Sequence, residues 1–452
     1  MNQPEARGGR MVSFAPLPVH ADMIVSFIAD RCPNMPILPA VRRLLLPALL
    51  LACGHAGAAT YGLDQLIARA RAESPLLAVY RAEELAARAG VGTARAYPNP
   101  ELEYTPGRAQ GRAAGTPGGF ASGLSISQPI ENPALRDARI GTAQSRVDVA
   151  VAQTGAARVN LDALVARRFF DLQRIREETQ AYAEDLALAE QIRQRVEVRV
   201  STGEAPRFDL IRAESEVAVS RRNLESSALR VRQASYELKR TVSPLLEDDF
   251  QIRVADPTAI MPLDETAIDV LRRRAVQANA EIGVAMREVE RANRQVSVER
   301  QSILPRVSIR GVQDRDPSQV VHQLGVHLTV PLLDRREGPI QEAQALAERN
   351  RLSLEQKRFE IETSFDAAVQ AWRAADAEVR AIESGILERA RRVVAIAEAA
   401  YRSGERGILE FLDAQRQFRL ARNELIQARH GLNVARTELE RLAAPAFVDL
   451  PR

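Results

Sequence analysis

The chain has 452 residues, of which 27% are charged and 4% aromatic, and its formal net charge is +3. A nearly balanced charge without a basic run interleaved with aromatic residues argues against nucleic-acid binding. Few aromatic residues and long stretches rich in Ala, Arg, Glu and Leu are typical of long helices packed side by side, and are unlike a compact enzyme core.

The N-terminal region has the layout of a secretory signal. Residues 41–43 (Val-Arg-Arg) precede the apolar run 44–52, and 56–58 (Ala-Gly-Ala) provide a small-residue cleavage site. The apolar run is shorter than the about 20 residues that a membrane-spanning helix needs. The sequence therefore predicts an exported protein, with Met35 as the natural start of translation.

Both cysteines, Cys32 and Cys53, lie in or before this signal. A chain cut near Ala58 therefore has neither a disulfide framework nor thiol chemistry. Residues 50–53 (Leu-Leu-Ala-Cys) leave an alternative open, in which lipoprotein processing makes a lipidated Cys53 the first residue.

The remainder of the chain repeats itself. Apolar residues at intervals of seven indicate one coiled-coil seam in each half. The two sets, 201 residues apart, are Leu210, Val217, Leu224, Val231 and Leu238, and Phe411, Phe418, Leu425, Leu432 and Leu439. The turns that introduce these helices, 202–206 and 403–407, show the same offset and contain glycine, as expected where a helix ends and the chain reverses.

Two predicted strands and one long predicted helix precede each seam. Residues 123–130 correspond to 325–332, and both alternate in polarity and approach a proline, as strands that end there do. Each following stretch holds more than 60 residues without an internal proline. A helix of that length reaches about 90–100 Å at about 1.5 Å per residue, which suits a tube across a periplasm better than a globular domain.

The predicted organisation is helix, strand, strand, long helix, turn and helix in each half. The predicted bounds are 1–58 for an extension and signal peptide, 59–245 for the first repeat (strands about 100–106 and 122–130, helices about 133–200 and 207–243), 246–264 for a linker, 265–443 for the second repeat (strands about 306–313 and 320–331, helices about 339–402 and 407–442) and 444–452 for a tail. Four strands cannot close a barrel, whereas three copies supply about twelve, so a homotrimer is predicted.

Several of these segments resemble the TolC-type outer membrane factors of tripartite efflux and type I export systems. The most specific are 401–405 (YRSGE), 411–416 (FLDAQR) and their first-half equivalent 203–214. Residues 127–136 and 330–338 are most similar to the CzcC-like branch of heavy-metal efflux channels. The resemblance covers nearly all of the chain after the signal.

The resemblance implies a mainly α fold with a small β part. Long antiparallel coiled-coil helices would form a periplasmic tunnel, and four strands per chain would contribute to a trimeric twelve-stranded barrel in the outer membrane of a Gram-negative bacterium. The implied function is a passive exit duct for heavy-metal cations delivered by an inner-membrane resistance-nodulation-division pump and a periplasmic adaptor. Drug efflux and type I protein secretion remain alternatives, as do, from another class, a periplasmic adaptor and a coiled-coil scaffold.

The resemblance also implies that the tunnel narrows at the helix-turn-helix tips. Glu410 and Asp413 match positions of an acidic ring there and, three residues apart, share one helix face. Six carboxylates around one axis would attract cations; the alternative is an ordinary solvated coiled-coil surface. Arg406 matches a gate-latch position, and Asp209 is its predicted acidic partner, although surface pairs contribute only about 0–1 kcal/mol.

The two tip turns are the predicted contact surface for the adaptor, or else simply reverse the chain. Their residues are Gly203, Glu204, Pro206, Gly404, Glu405 and Gly407. No metal or cofactor site is predicted: His322 and His327, five apart in a strand, should point to opposite faces, and His430 stands apart from both. Walker, Gly-x-Ser-x-Gly and His-Glu-x-x-His motifs are also absent from the sequence, so an enzyme is not predicted.

Overall fold

The computed structural model describes residues 59–110, 115, 118–253 and 265–443. The predicted signal peptide, the alternative lipidation at Cys53 and the predicted tail 444–452 lie outside the described residues. Within these ranges the elements, in chain order, are β1 (Thr60–Tyr61), α1 (Leu63–Glu73), α2 (Pro75–Arg95), β2 (Glu101–Ala109), β3 (Gly119–Ile130), α3 (Pro133–Ser201), α4 (Arg207–Val242), β4 (Gln251–Ile252), α5 (Glu265–Ala278), α6 (Ala280–Gln301), β5 (Arg306–Arg315), β6 (Val320–Thr329), α7 (Glu337–Ala381), a π-helical segment (Ile382–Leu387), α8 (Glu388–Ser403) and α9 (Ile408–Leu442).

Among the described helices, none is both long enough and apolar enough to cross a membrane.

The opening helix of each half is divided in two. Pro75 occupies the first turn of α2, where its missing N–H costs no helical hydrogen bond. In the second half the Asn279 side chain caps α6 by accepting from the main-chain N–H of Glu281 at 2.9 Å, and it donates to the Leu442 carbonyl at 3.1 Å. The buried Asn279 thereby fixes the end of the last helix against the start of the second half.

The main sheet has four antiparallel strands in the order β2-β3-β5-β6. Its register places exposed apolar side chains on one face: Leu102, Tyr104, Phe120, Leu124, Ile126, Ile130, Ile309, Leu324, Val326 and Leu328. On the other face Arg310 donates to Glu103 and to Ser125, both at 3.1 Å. The register also places His322 with the apolar face and His327 with the polar face. Within the part of the chain that the structure describes, β2 and β6 each have one edge without a partner strand.

The described part of the predicted linker 246–264, residues 246–253, packs with the first half. Its β4 pairs in parallel with β1, with Tyr61 opposite Ile252. Phe250 and Ile252 are buried in the core of the first half. A sheet this short has no alternating pattern long enough to recognise in the sequence, which is why the prediction missed it.

The long helix of the second half is not continuous. The first-half helix α3 runs for 69 residues, as its proline-free stretch suggests. The helix predicted from 339 to 402 is instead interrupted by the π-helical segment between α7 and α8. Gly385 lies in this segment and weakens the α-helical preference locally. Glu383, also within it, pairs with Arg429 of α9.

Three hydrophobic clusters hold the helices together. One belongs to the first half, around Phe169 and Leu238, and a second to the other half, around Phe365 and Leu439. The third lies at the tips of the two helical hairpins, α3–α4 and α8–α9, and is shared by both halves. None of the ten predicted heptad residues is exposed. Among the described residues, each half therefore has a hydrophobic cluster of its own, and a third cluster at the tips is shared by both halves.

Candidate functional site at the helix tips

The two tip turns have the same geometry, 201 residues apart. At the first, Gly203 has a φ of 81°, and the N–H groups of Glu204 and Ala205 donate to the Arg199 carbonyl at 2.8 and 3.1 Å. At the second, Gly404 has a φ of 77°, and Glu405 and Arg406 donate in the same way to the Ala400 carbonyl at 3.0 and 3.2 Å. A left-handed residue at a helix C-terminus favours glycine, which explains the repeated motif.

The residues predicted to contact an adaptor lie on these turns. Gly203, Glu204, Pro206, Gly404, Glu405 and Gly407 are all exposed. Pro206 and Gly407 are the N-cap residues of α4 and α9, and neither has a capping side-chain hydrogen bond. The turns therefore present charged side chains on a backbone fixed by the left-handed glycines.

An aromatic cluster joins the two hairpins directly behind the turns. The rings of Tyr401 and Phe411 stack with centroids 5.8 Å apart and an interplanar angle of 5°. The Arg199 guanidinium lies 5.2 Å from the centre of the Tyr401 ring, so the first hairpin contacts the second through a cation–π interaction. Ile192, Val196 and other buried residues complete this core.

The predicted acidic positions, Glu410 and Asp413, are both exposed at the start of α9. The Glu410 carboxylate accepts from the Arg406 guanidinium at 3.2 Å. A carboxylate in the first turn of a helix is also stabilised by the helix dipole. The structure thus places both carboxylates at the surface of the tip, where they are open to solvent in a single chain.

The predicted latch between Arg406 and Asp209 is not formed within the chain. Arg406 pairs with Glu410, four residues later on its own helix, because that spacing brings two side chains together on one helical face. Asp209 is half-buried near the start of α4. The latch between Arg406 and Asp209 stays a prediction for the assembled tips.

A set of polar contacts that sequence reasoning missed connects α3 to α9 above the tip, and we name it the polar seam. It consists of Asp171 with His430 at 2.7 Å, Glu178 with Gln427, and Asp185 with Arg422 at 2.7 Å. Glu178 and Asp185 are buried. The acidic residues Asp171, Glu178 and Asp185 are spaced by seven, so they replace apolar residues along one coiled-coil seam. This heptad spacing of acidic residues is the feature of the sequence from which the polar seam could have been predicted.

Burial and pairing have opposite effects on the seam carboxylates. Burial raises the pKa of Asp185, and the neighbouring Arg422 offsets this only in part. The hydrogen bond from His430 lowers the pKa of Asp171. Beside the seam, Arg419 of α9 pairs with Glu216 of α4 at 2.6 Å. The two hairpins are thus joined by hydrogen-bonded charges as well as by the aromatic tip.

The sequence model of the outer membrane efflux protein family matches residues 66–242 and 271–444. The chain belongs to this family. The two matched segments coincide with the two repeats, and the predicted family, internal repeat and outer membrane location are confirmed. Family members and structural neighbours are outer membrane channels and not enzymes.

Two relatives illustrate the breadth of the family. The pyoverdine export outer membrane protein OpmQ of Pseudomonas aeruginosa is 24% identical over 325 residues, a match that covers 69% of this chain and 66% of OpmQ, just under two thirds. The cobalt-zinc-cadmium resistance protein CzcC of Cupriavidus metallidurans is 24% identical over 342 residues, covering 74% of this chain and 78% of CzcC. The predicted similarity to the CzcC-like branch is therefore confirmed.

Solved structures bear out the predicted fold class. CusC has a TM-score of 0.72 at 18% identity, with 84% of this chain and 92% of CusC covered. The CmeC outer membrane channel of Campylobacter jejuni has a TM-score of 0.71 at 15% identity, with 84% of this chain and 85% of CmeC covered. The described chain therefore has the fold of the TolC-type channels.

Proposed function

We propose that three copies of this chain form the passive outer membrane channel of a tripartite efflux system, without an enzymatic step. An inner-membrane pump of the resistance-nodulation-division class and a periplasmic adaptor would deliver the substrates, which we propose are heavy-metal cations. The main support within the chain is the four-stranded sheet, which has one apolar face, one polar face and two edges that no other described strand pairs with.

The sheet supports assembly because its edges are incomplete. Exposed main-chain groups on β2 and β6 need hydrogen-bond partners in lipid, and the strands of neighbouring copies can provide them. The apolar face then meets the lipid, and the polar face with Glu103 and Arg310 lines the interior. One chain cannot satisfy both edges, so the proposed channel requires several copies.

The helices support the same assembly. Toward the tip, α4 exposes Phe208 and Ile211, and α8 exposes Val393 and Ile396. The latter two are each more than half exposed, although the opposite side of α8 packs on α9. Two partly apolar helix surfaces on different hairpins suit side-by-side packing of copies around a tunnel.

The tip supports the proposed gate. Three copies would bring three Glu410 and three Asp413 side chains to the tunnel entrance, where like charges close together favour cations. Replacing both with Ala should increase a small, cation-selective conductance in planar bilayers and reduce its selectivity. The matched control is Glu424→Ala, an exposed carboxylate on the same helix that lies about 21 Å beyond Glu410 and about 16 Å beyond Asp413 at about 1.5 Å per residue.

The outcomes separate channel from gate. A folded, SDS-resistant trimer without conductance in either orientation would contradict the channel itself. Unchanged conductance and selectivity in the double variant would contradict the acidic ring while leaving the channel intact. An effect of Glu424→Ala as large as that of the double variant would show that the tunnel surface as a whole, and not its entrance, sets selectivity.

The substrate proposal rests on the similarity to CzcC, whose name describes cobalt, zinc and cadmium resistance. Equal identity to OpmQ, whose name describes pyoverdine export, supports an organic metal chelator as the second candidate. A deletion strain distinguishes them: loss of cobalt, zinc and cadmium tolerance supports the first, and loss of a secreted chelator with normal tolerance supports the second. Complementation with the intact chain is the control.

A further inference from the structure

A large apolar side chain is exposed to solvent at or beside each of the four junctions between the main sheet and its neighbouring helices. Tyr97 in the α2–β2 connection is 69% exposed, Leu304 in the α6–β5 connection 42%, and Leu332 and Leu333 in the β6–α7 connection 74% and 101%. Before the β3–α3 connection, Ile130 is the last residue of β3 and is 49% exposed. We name these five residues the connection girdle. Nothing in the packing of a single chain accounts for a fully exposed leucine beside another exposed one.

The girdle lies at one end of the sheet. Register pairs Glu101 with Ser127, Ser127 with Arg310, and Arg310 with Gly325. The starts of β2 and β5 and the ends of β3 and β6 are therefore neighbours. All four connections consequently leave the sheet on the side from which the long helices run.

The girdle is continuous with the apolar face of the sheet. Along β6 the apolar face includes Val326 and Leu328. Past the last residue of the strand the chain turns at Pro331, where the Leu332 N–H donates to the Val330 carbonyl at 3.0 Å, and Val330, Leu332 and Leu333 are again exposed. Large apolar side chains thus extend beyond the sheet instead of stopping where the hydrogen bonding stops. This continuity favours an extended apolar environment over an isolated protein contact.

Cationic side chains accompany the apolar ones. The Arg136 guanidinium lies 4.5 Å from the centre of the Tyr97 ring. In the β6–α7 connection the Asp334 carboxylate accepts from the main-chain N–H of Arg336 at 2.8 Å, and the Arg336 side chain pairs with Glu299. Arg335 between them is exposed. Aromatic, leucine and arginine side chains together are typical of a membrane–water interface.

We propose that the connection girdle lies in the headgroup region of the inner leaflet of the outer membrane, and that Leu332 and Leu333 insert into the boundary between headgroups and acyl chains. Arg335 then faces the lipid phosphates. Such insertion reaches about 5–10 Å into the boundary, and cations beside it are attracted to anionic headgroups. The proposal rests on the proposed function, in which the apolar face of the sheet meets lipid.

Tryptophan fluorescence tests the insertion. Trp372 is the single tryptophan of the chain and is buried. Its fluorescence is measured in the wild-type protein and subtracted as a constant background. Leu333→Trp is reconstituted as an intact trimer in vesicles whose phospholipids are brominated near the headgroup end of the acyl chain. Leu324→Trp, on the apolar face of β6, reports membrane insertion of the sheet, and Leu245→Trp, 72% exposed after α4, is the matched control outside the membrane.

The expected result is quenching at position 333 that is several-fold stronger than at 245 and comparable with that at 324. Bromines near the methyl end should quench position 333 less than position 324, because the girdle lies at the boundary. Arg335→Glu should reduce the quenching at 333 in vesicles rich in phosphatidylglycerol.

Three outcomes would overturn the inference. If 324 is quenched and 333 is instead quenched by aqueous iodide, the loop is in water and the proposed channel still stands. If 324 is quenched and 333 is protected from both quenchers, a neighbouring copy covers the loop. If 324 itself is not quenched, the sheet does not meet lipid, and the proposed function fails together with the inference.

Discussion

Replacing Arg422 with Ala should loosen the contact between the two hairpins more than any change of a surface charge. The Arg422 guanidinium donates to the Asp185 carboxylate at 2.7 Å and to the Ala181 carbonyl at 3.2 Å, and its side chain is only 16% exposed. Removing it leaves the buried Asp185 without its closest opposite charge. Glu184, 3.6 Å from the same guanidinium, is exposed and can be solvated instead.

The magnitude follows from the cost of leaving one charge of a buried pair alone, which is about 3–5 kcal/mol. We expect the lower end, about 3 kcal/mol, because the seam lies near the surface of a helical hairpin. This corresponds to an about 100-fold larger equilibrium constant for local opening. Replacing both residues by apolar ones, Asp185→Leu with Arg422→Met, should restore protection to within about 1 kcal/mol, since apolar packing substitutes well for a buried ion pair.

Hydrogen exchange measured by mass spectrometry reports local opening without requiring reversible unfolding of the trimer. Peptides covering 178–192 should lose protection in the single variant, while peptides of α1 and α2 should not. Arg88→Ala is the control: it removes a pair with Glu84 on the same helix, at an arginine that is 57% exposed, and should change protection by at most about 0.5 kcal/mol.

The pH dependence provides a second readout. Burial raises the pKa of Asp185, so the folded state holds this proton more tightly than the unfolded chain does. Its stabilisation is present below the unfolded pKa of 3.8 and is lost as the pH rises through the folded value. Arg422→Ala raises that folded pKa further, so its defect should shrink on acidification. A defect that is absent at neutral pH, or that the double apolar variant fails to repair, would refute this reasoning.

Three further predictions concern the seam and the tip. His430 lowers the pKa of Asp171, so this contact stabilises the fold above the unfolded pKa of 3.8 and is lost as the pH falls through the lowered folded value; hydrogen exchange near 171 should therefore depend less on pH in His430→Ala. Arg406→Ala should change stability by at most about 0.5 kcal/mol but increase cation selectivity, measured as a reversal potential, because Glu410 loses its counter-charge. Gly404→Ala should destabilise the tip by about 1–2 kcal/mol, measured by exchange of the turn amides, because its φ is left-handed.

Much of the fold could be predicted because it repeats a simple pattern. Heptad spacing around Leu238 and Leu439 marks helices whose buried positions the structure reproduces, and glycine marks both tip turns. The strands begin and end within three residues of the predicted bounds; β2 ends three residues later than predicted and β3 starts three residues earlier, at Gly119. Its first residues, rich in glycine and alanine, show no apolar alternation from which a strand could be recognised.

What the sequence could not reveal depends on contacts between distant segments. The acidic residues at intervals of seven in α3 were visible, but their partners on α9 lie more than 200 residues away, and only the packing of the two hairpins pairs Asp185 with Arg422. The π-helical segment likewise has no signature beyond Gly385, since its wider turn depends on how α7 and α8 pack on α9. The pairing of Arg406 with Glu410, four residues later on the same helix, was visible in the sequence but was not predicted.

In the proposed channel, the division of the core allows the tip of the coiled coil to open without unfolding of either half. Each half holds its own upper cluster, so separating the hairpins near the tip leaves Phe169 and Phe365 buried. Separation exposes the polar seam, whose carboxylates and guanidinium can bind water in place of one another, whereas a fully apolar seam would lose about 25 cal/mol for each Å² exposed. We infer that buried charges at Asp185 and Arg422 reduce the cost of opening relative to an apolar pair of similar size. The double apolar variant that restores local stability should therefore also stay closed for longer in single-channel recordings.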